Sequence, residues 1–275
     1  MSDGDPHRLA NRLKNQVERI KTSDKISSHN KGLLREFKEY MESQELTDGR
    51  ISRYLSIWRI ILEKGDEDLK MDEASKKDLV RIVGKINKNK IKKFAPGTKK
   101  EYKKGVRKFY TDFMAFNEPE KGWYKSCDFF SLTVKKSYLD PDRLPKPGHV
   151  EKMVKTADRM RDKTFVMALW STGARIGAIL GLKWKDIKLR HQGGKVVFRD
   201  TKTAEDRVVP LLEGYLYFRD FKEHDHRGDD PEAFVFRGVR TDDQLTHNGA
   251  CMILKRLKER AEIPDGMGAW ERPAP

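Results

Sequence analysis

The chain has 275 residues, enough for two ordinary domains that each bury a core, and its 58 Lys and Arg against 43 Asp and Glu leave a formal charge of +15. That balance favours a polyanionic partner, while two cysteines placed far apart, Cys127 and Cys251, exclude a disulfide framework or a Cys-rich zinc site. No apolar run approaches membrane-spanning length, and the opening MSDGDPHRLANRLK lacks an apolar signal region, so a soluble, cytoplasmic protein without a membrane partner is expected.

The first half reads as helices. Leu33, Leu34, Phe37, Tyr40 and Met41 fall on one helical face, and Ile51, Tyr54, Leu55, Trp58, Ile61 and Leu62 repeat the pattern after a break at Leu46–Gly49. A third helix is predicted over Lys76–Asn87. A fourth is predicted from Thr98, as N-cap with Glu101 three residues on, to about Phe116. Its polar face carries Lys99, Lys100, Lys103, Lys104, Arg107 and Lys108. From Lys85 to Lys108 there are eleven basic residues and one acid. Such a face can be merely solvated, but with so little acidic compensation it reads as a contact surface for a nucleic-acid backbone.

Asn117 to Gly148 is punctuated by prolines and glycines and is read as a connection. Its aromatics Trp123, Tyr124, Phe129 and Phe130 are assigned to packing rather than to base stacking. LPKPGHVEKMV then opens a second domain with a helix. A further helix ends near Trp170, and another covers Ile176–Gly181, followed by a strand-like exit over Lys183–Ile187. Strands around Lys195–Phe198 and Arg207–Pro210 flank Thr201–Ala204 as a hairpin. A helix with Tyr215, Tyr217 and Phe221 follows, and an amphipathic helix from Thr246 to Ala261 is the last regular element.

The most informative stretch is Ser171–Leu189, STGARIGAILGLKWKDIKL, with Arg175 behind a Thr-Gly turn, followed by the hairpin KVVFRDTKTAEDRVVPL with Lys202 near its turn. An arginine fork donates two hydrogen bonds to a phosphate and stays charged, and a lysine near it can protonate a leaving oxygen. The wording Thr172-Gly173-Ala174-Arg175, Leu180-Gly181-Leu182, Trp184, Asp186-Ile187, Thr201-Lys202-Thr203 and Val209-Pro210-Leu211 resembles the catalytic domain of tyrosine recombinases, the phage-type and archaeal integrases. The resemblance implies a mainly α protein. A helical core-binding (SAM-like) domain over 27–117 would follow an extension at 1–26. A linker at 118–146 would lead to an α+β catalytic domain with a small antiparallel sheet at 147–275. It further implies Arg175 as a phosphate-binding catalytic arginine, Lys202 as the hairpin lysine, double-stranded DNA as partner, a tetramer on DNA, and no cofactor or metal.

Two departures accompany the resemblance. The family often has an acid three positions after the arginine, where this chain has Ala178. The family's His-x-x-Arg and later tyrosine nucleophile have no counterpart: Ala269 stands three residues before Arg272, and no tyrosine follows Tyr217. Tyr215 and Tyr217 are read as packing residues, and His224, His226 and His247 match no catalytic position. The expectation is a C-terminally incomplete integrase of a mobile element, for DNA integration and recombination but silent in cleavage as it stands. The alternatives are a non-catalytic duplex-DNA-binding remnant or regulator and, more remotely, an RNA-binding protein. The last lacks the aromatic or GxxG patterns of RNA modules.

Overall fold

The computed structural model describes residues 6–65, 67–122, 127, 129–134, 144–199 and 206–264. The chain divides into two compact units, Leu9–Ser137 and Met1–Arg8 with Tyr138–Pro275. Among the described residues no helix is long and apolar enough to cross a membrane.

The first unit is all helical. The helices are α1 (Leu9–Thr22), α2 (Ser28–Ser43), α3 (Asp48–Lys64), α4 (Lys76–Asn87), α5 (Pro96–Arg107), and a short α6 (Ala115–Asn117). The N-terminal helix α1 lies within the stretch read as an extension. Its Leu13, Gln16 and Ile20 are buried, and it packs on α3. Its apolar spacing is diluted by charged neighbours, which hid the period. The α4 boundaries are those expected, and Ser75 and Asp78 close a reciprocal capping box at its start.

The basic helix differs in two ways from the expectation. It begins at Pro96 with Ala95 as N-cap, so Thr98 lies inside the first turn and caps nothing. Proline suits the first helical position because its missing N–H is unpaired there anyway. The helix then widens into a π-helical stretch, Lys108–Met114, before α6. The wider turn brings Phe109, Tyr110 and Phe113 all inward against Phe37 and Trp58, in ring contacts of 4.8–5.8 Å. Gly105 is where α5 meets α3, since a Cβ there would stand 2.8 Å from Ile57. Cys127 and Phe130 are buried in this same core, so part of the stretch read as a connection packs with the helices. Phe129 is exposed and edge-on to Phe130. Trp123 and Tyr124 lie outside the described residues.

The second unit combines α7 (Pro147–Thr156), α8 (Met160–Thr172), α9 (Ile176–Leu180), α10 (Tyr215–His224) and α11 (His247–Arg260) with one sheet. The sheet is antiparallel with order β1 (Ile187–Leu189), β2 (Gly194–Arg199), β3 (Asp206–Leu211). The strand-like exit after α9 is a 3-10 turn over Trp184–Asp186, with β1 starting only at Ile187. Val196, Phe198 and Leu211 point from the sheet into a core built around Phe165, Ile179, Phe218, Phe236 and Leu254. The protein is therefore mainly helical, with a small three-stranded antiparallel sheet confined to its second unit.

Candidate active site and nucleic-acid interface

Arg175 owes its position to how α8 ends. Gly173 adopts φ +58°, a left-handed conformation that only glycine takes without strain, and its N–H closes the helix on Leu169 O at 3.1 Å. The Thr172 hydroxyl donates to Ala168 O at 2.6 Å and accepts from Ala174 N at 3.2 Å, which fixes the turn. Ala174 and Ile176 are buried on either side of an exposed Arg175, which serves as N-cap of α9. Two apolar anchors thus hold one arginine outward. Among the described residues its guanidinium has no hydrogen-bond or ion-pair partner, and the exposed Ala178 offers it no carboxylate.

The hairpin is tied to the same region. In the β2–β3 ladder Arg199 pairs with Asp206, the last pair before the connection. Lys202 is in that connection and lies outside the described residues. Arg199 Nε donates to Asp186 Oδ1 at 2.9 Å, while Asp186 Oδ2 accepts from Lys183 N at 3.0 Å. The Asp186 side chain is buried. It ties the end of β2 at Arg199 to the 3-10 turn that follows α9. The sequence named Asp186 as part of the motif but gave no sign of Arg199 as its partner.

Behind the 3-10 turn lies a charged layer. Trp184 Nε1 donates to Asp225 Oδ2 at 2.9 Å. Buried Arg237 pairs with Asp225, donates to Asp242 Oδ1 at 2.7 Å, and donates to Phe234 O at 2.7 Å. Hydrogen bonding from Arg237, aided by the charges of Arg237 and His226, holds the Asp242 carboxyl below its ordinary range. His226 faces Asp225 and Asp242, and His224 bonds Asp220 O at 2.7 Å. His247, at the start of α11, sets its ring against that of His7 in a tilted contact at 4.7 Å and contacts Cys251 Sγ.

The two tyrosines of α10 belong to the fold. Tyr215 is buried and its hydroxyl donates to Arg190 O at 2.6 Å, and Tyr217 packs against the core.

The basic face of α5 is more self-contained than its sequence suggests. Lys99 donates to Asn87 O at 2.7 Å and Lys103 to Ser131 O at 2.6 Å. Lys104 pairs with Glu101 and Lys108 with Asp112. Arg107 lies over Phe130, its Nε buried without a hydrogen-bond partner among the described residues. Lys100 alone of the six has no such contact among the described residues, and all six are partly buried.

Residues 146–271 match the phage integrase family. Over those residues, close to half of the chain, the match is to that family, and tyrosine recombinases are among the proteins this chain is similar to. It is 26% identical over 270 residues to a probable integrase/recombinase protein of Methanocaldococcus jannaschii, covering 92% of this chain and 77% of that protein. To the tyrosine recombinase XerA of Pyrococcus horikoshii it is 25% identical over 126 residues, 45% of this chain and 44% of that one. In fold it is similar to a lambda integrase (75–356) dimer bound to a COC′ core site. There the TM-score is 0.61 at 13% identity, covering 85% of this chain and 81% of the other. It is also similar to the XerH site-specific recombinase bound to its difH substrate, with a TM-score of 0.59 at 15% identity, covering 98% and 84%.

Proposed function

We propose that this chain is a member of the tyrosine recombinase family that binds duplex DNA and presents Arg175 to a backbone phosphate, with Lys202 as the hairpin lysine that would supply a proton to the leaving oxygen. The single observation that carries the reading is Arg175 itself: an exposed guanidinium held between two buried anchors at a glycine-closed turn, with no partner among the described residues. An unengaged arginine on a rigid support suits an anionic ligand, because its fork meets phosphate oxygens without first breaking an internal ion pair. As charge grows on the non-bridging oxygens in phosphoryl exchange, that fork stabilises the transition state more than the ground state.

The lambda integrase and XerH structures of similar fold hold DNA, one of the former as a tetramer on a Holliday junction. Carried over to this chain, the partner is duplex DNA, the working assembly is a tetramer, and the place of action is the cytoplasm. The reaction is integration or recombination of a mobile element. No tyrosine of the second unit's described residues is assigned as nucleophile, because Tyr215 spends its hydroxyl on Arg190 O and Tyr217 packs in the core. On this reading the chain binds DNA and neither Tyr215 nor Tyr217 forms a covalent phosphotyrosine.

Incubating the chain with a nicked duplex and resolving the products under denaturing conditions tests this. Salt-sensitive duplex binding with no covalent adduct is expected. An adduct on Tyr215 or Tyr217 refutes the assignment, and absence of duplex binding at 50 mM salt refutes the function.

A further inference from the structure

We propose that a groove in the first unit, between α3 and the segment entering α5, seats a backbone phosphate of duplex DNA, and that this groove anchors the helical unit more strongly than the basic face of α5. The proposal rests on the DNA-binding reading above. Arg53 on α3 and Lys92 and Lys93 on the entering segment line the groove, over a floor that includes Ile57, Phe94 and Tyr102, and no acidic side chain lines it.

All three cations are exposed, and none has a hydrogen-bond or ion-pair partner among the described residues. This contrasts with Lys99, Lys103 and Lys104 on α5 and Lys108 just after it, each of which already donates to a carbonyl or a carboxylate. A cation already neutralised inside the protein has little to offer a phosphate. Three unneutralised ones converging on one depression concentrate positive potential there, and they release counterions from DNA when they bind it.

The floor decides between ligands. Phe94 and Tyr102 are 9% and 5% exposed, and their rings face each other at 4.3 Å. Neither presents a free face on which an unpaired base could stack, which is what single-strand binders require. Burial also pushes the Tyr102 phenol above its ordinary value despite the charge of Arg53 nearby, so it remains neutral. An apolar floor with a cationic rim accommodates a sugar–phosphate step and reads no base.

The test uses the full chain and a fluorescently labelled 30-base-pair duplex, with binding followed by anisotropy between 50 and 200 mM salt. The variant Arg53→Gln/Lys92→Gln/Lys93→Gln is compared with Lys100→Gln/Lys104→Gln. Each lost phosphate contact lowers the slope of log K against log salt by about 0.9, so the groove variant should lose roughly 2–3 from its slope and bind roughly 10- to 100-fold more weakly. The α5 variant should lose about one or less from its slope. Because the three residues are exposed, the unfolding midpoint should not change. Should the triple variant unfold, the three single variants carry the test, each lowering the slope by about one.

An unchanged slope in the folded groove variants, or a larger loss in the α5 variant, overturns the proposal while leaving the DNA-binding reading intact. No salt-dependent binding by the unaltered chain overturns both. Groove-dependent binding that favours a single-stranded RNA over the duplex overturns the assignment of the ligand.

Discussion

Replacing Arg237 with methionine probes the charged layer behind the candidate active site. Arg237 and Asp225 form an ion pair whose side chains are 7% and 4% exposed, and Arg237 also donates to Asp242 and Phe234 O. Methionine fills much of the same space but leaves the Asp225 carboxylate buried, faced among the described residues by Trp184 Nε1, the Arg227 backbone N–H and the exposed His226 ring at 3.5 Å. Removing one partner of a buried pair costs about 3–5 kcal/mol, mainly because the other charge stays desolvated. For a unit of this size that is a fall of roughly 10–20 °C in unfolding midpoint. Asp242 adds little, since its side chain is 41% exposed and it keeps Arg227 at 3.3 Å. Calorimetry resolves the second unit's transition. The double variant Arg237→Met/Asp225→Asn removes the stranded charge and should recover about 2 kcal/mol relative to additivity. A loss below about 1 kcal/mol in the single variant, or strict additivity in the double, would show that the pair is hydrated and that this reasoning is wrong.

Gly173→Ala should destabilise by about 1–2 kcal/mol, all of it from backbone strain, because φ is +58° and no atom lies within 4 Å of the added methyl. Duplex binding should weaken along with it if that turn aims Arg175. An equal unfolding midpoint, or a midpoint loss with binding untouched, contradicts the account of the turn. Ser75→Ala removes the capping-box hydroxyl of α4 and should cost about 1 kcal/mol in chemical denaturation, with the loss confined to the first unit's transition. Asp78, Asp230 and Asp242 all titrate below the ordinary carboxylate value in the folded chain, by hydrogen bonding from Ser75, Arg227 and Arg237 respectively. A folded pKa below the unfolded one gives stability that is present above the unfolded value and lost as pH falls through the folded one. These groups should therefore leave stability nearly flat from pH 7 to about 5, with their contribution lost below about pH 4. A loss from these carboxylates centred near pH 6, detected by comparison with the Asp→Asn variants, contradicts their assignment.

Much of this protein was legible before any fold was in view. The apolar periods of α2, α3 and α4 repeat cleanly because each helix buries one stripe. The β2–β3 hairpin announces itself through β-branched runs on either side of Thr201–Ala204, and the Thr-Gly-Ala-Arg wording marked Arg175 because the turn needs a glycine where φ is positive. Local chemistry of this kind is written in neighbouring residues. The helix α1 was missed because its buried residues are few among charges, and the π-helical widening after Arg107 was missed because it answers to the aromatic rings of α2 and α3 that it must meet.

Charge was where sequence said least about partners. Composition determined that the protein carries a surplus of cations, but not which of them are free. The α5 lysines pair with carbonyls and carboxylates up to 28 residues away, whereas Arg53, Lys92 and Lys93 meet around one groove although about 40 residues separate the first from the others. Ionic partners are set by distance in space, and a charge run in sequence carries no record of which neighbours the fold will bring to it. The Arg199–Asp186 link has the same origin: sequence supplied both residues, and only the packing of β2 against the turn after α9 made them a pair.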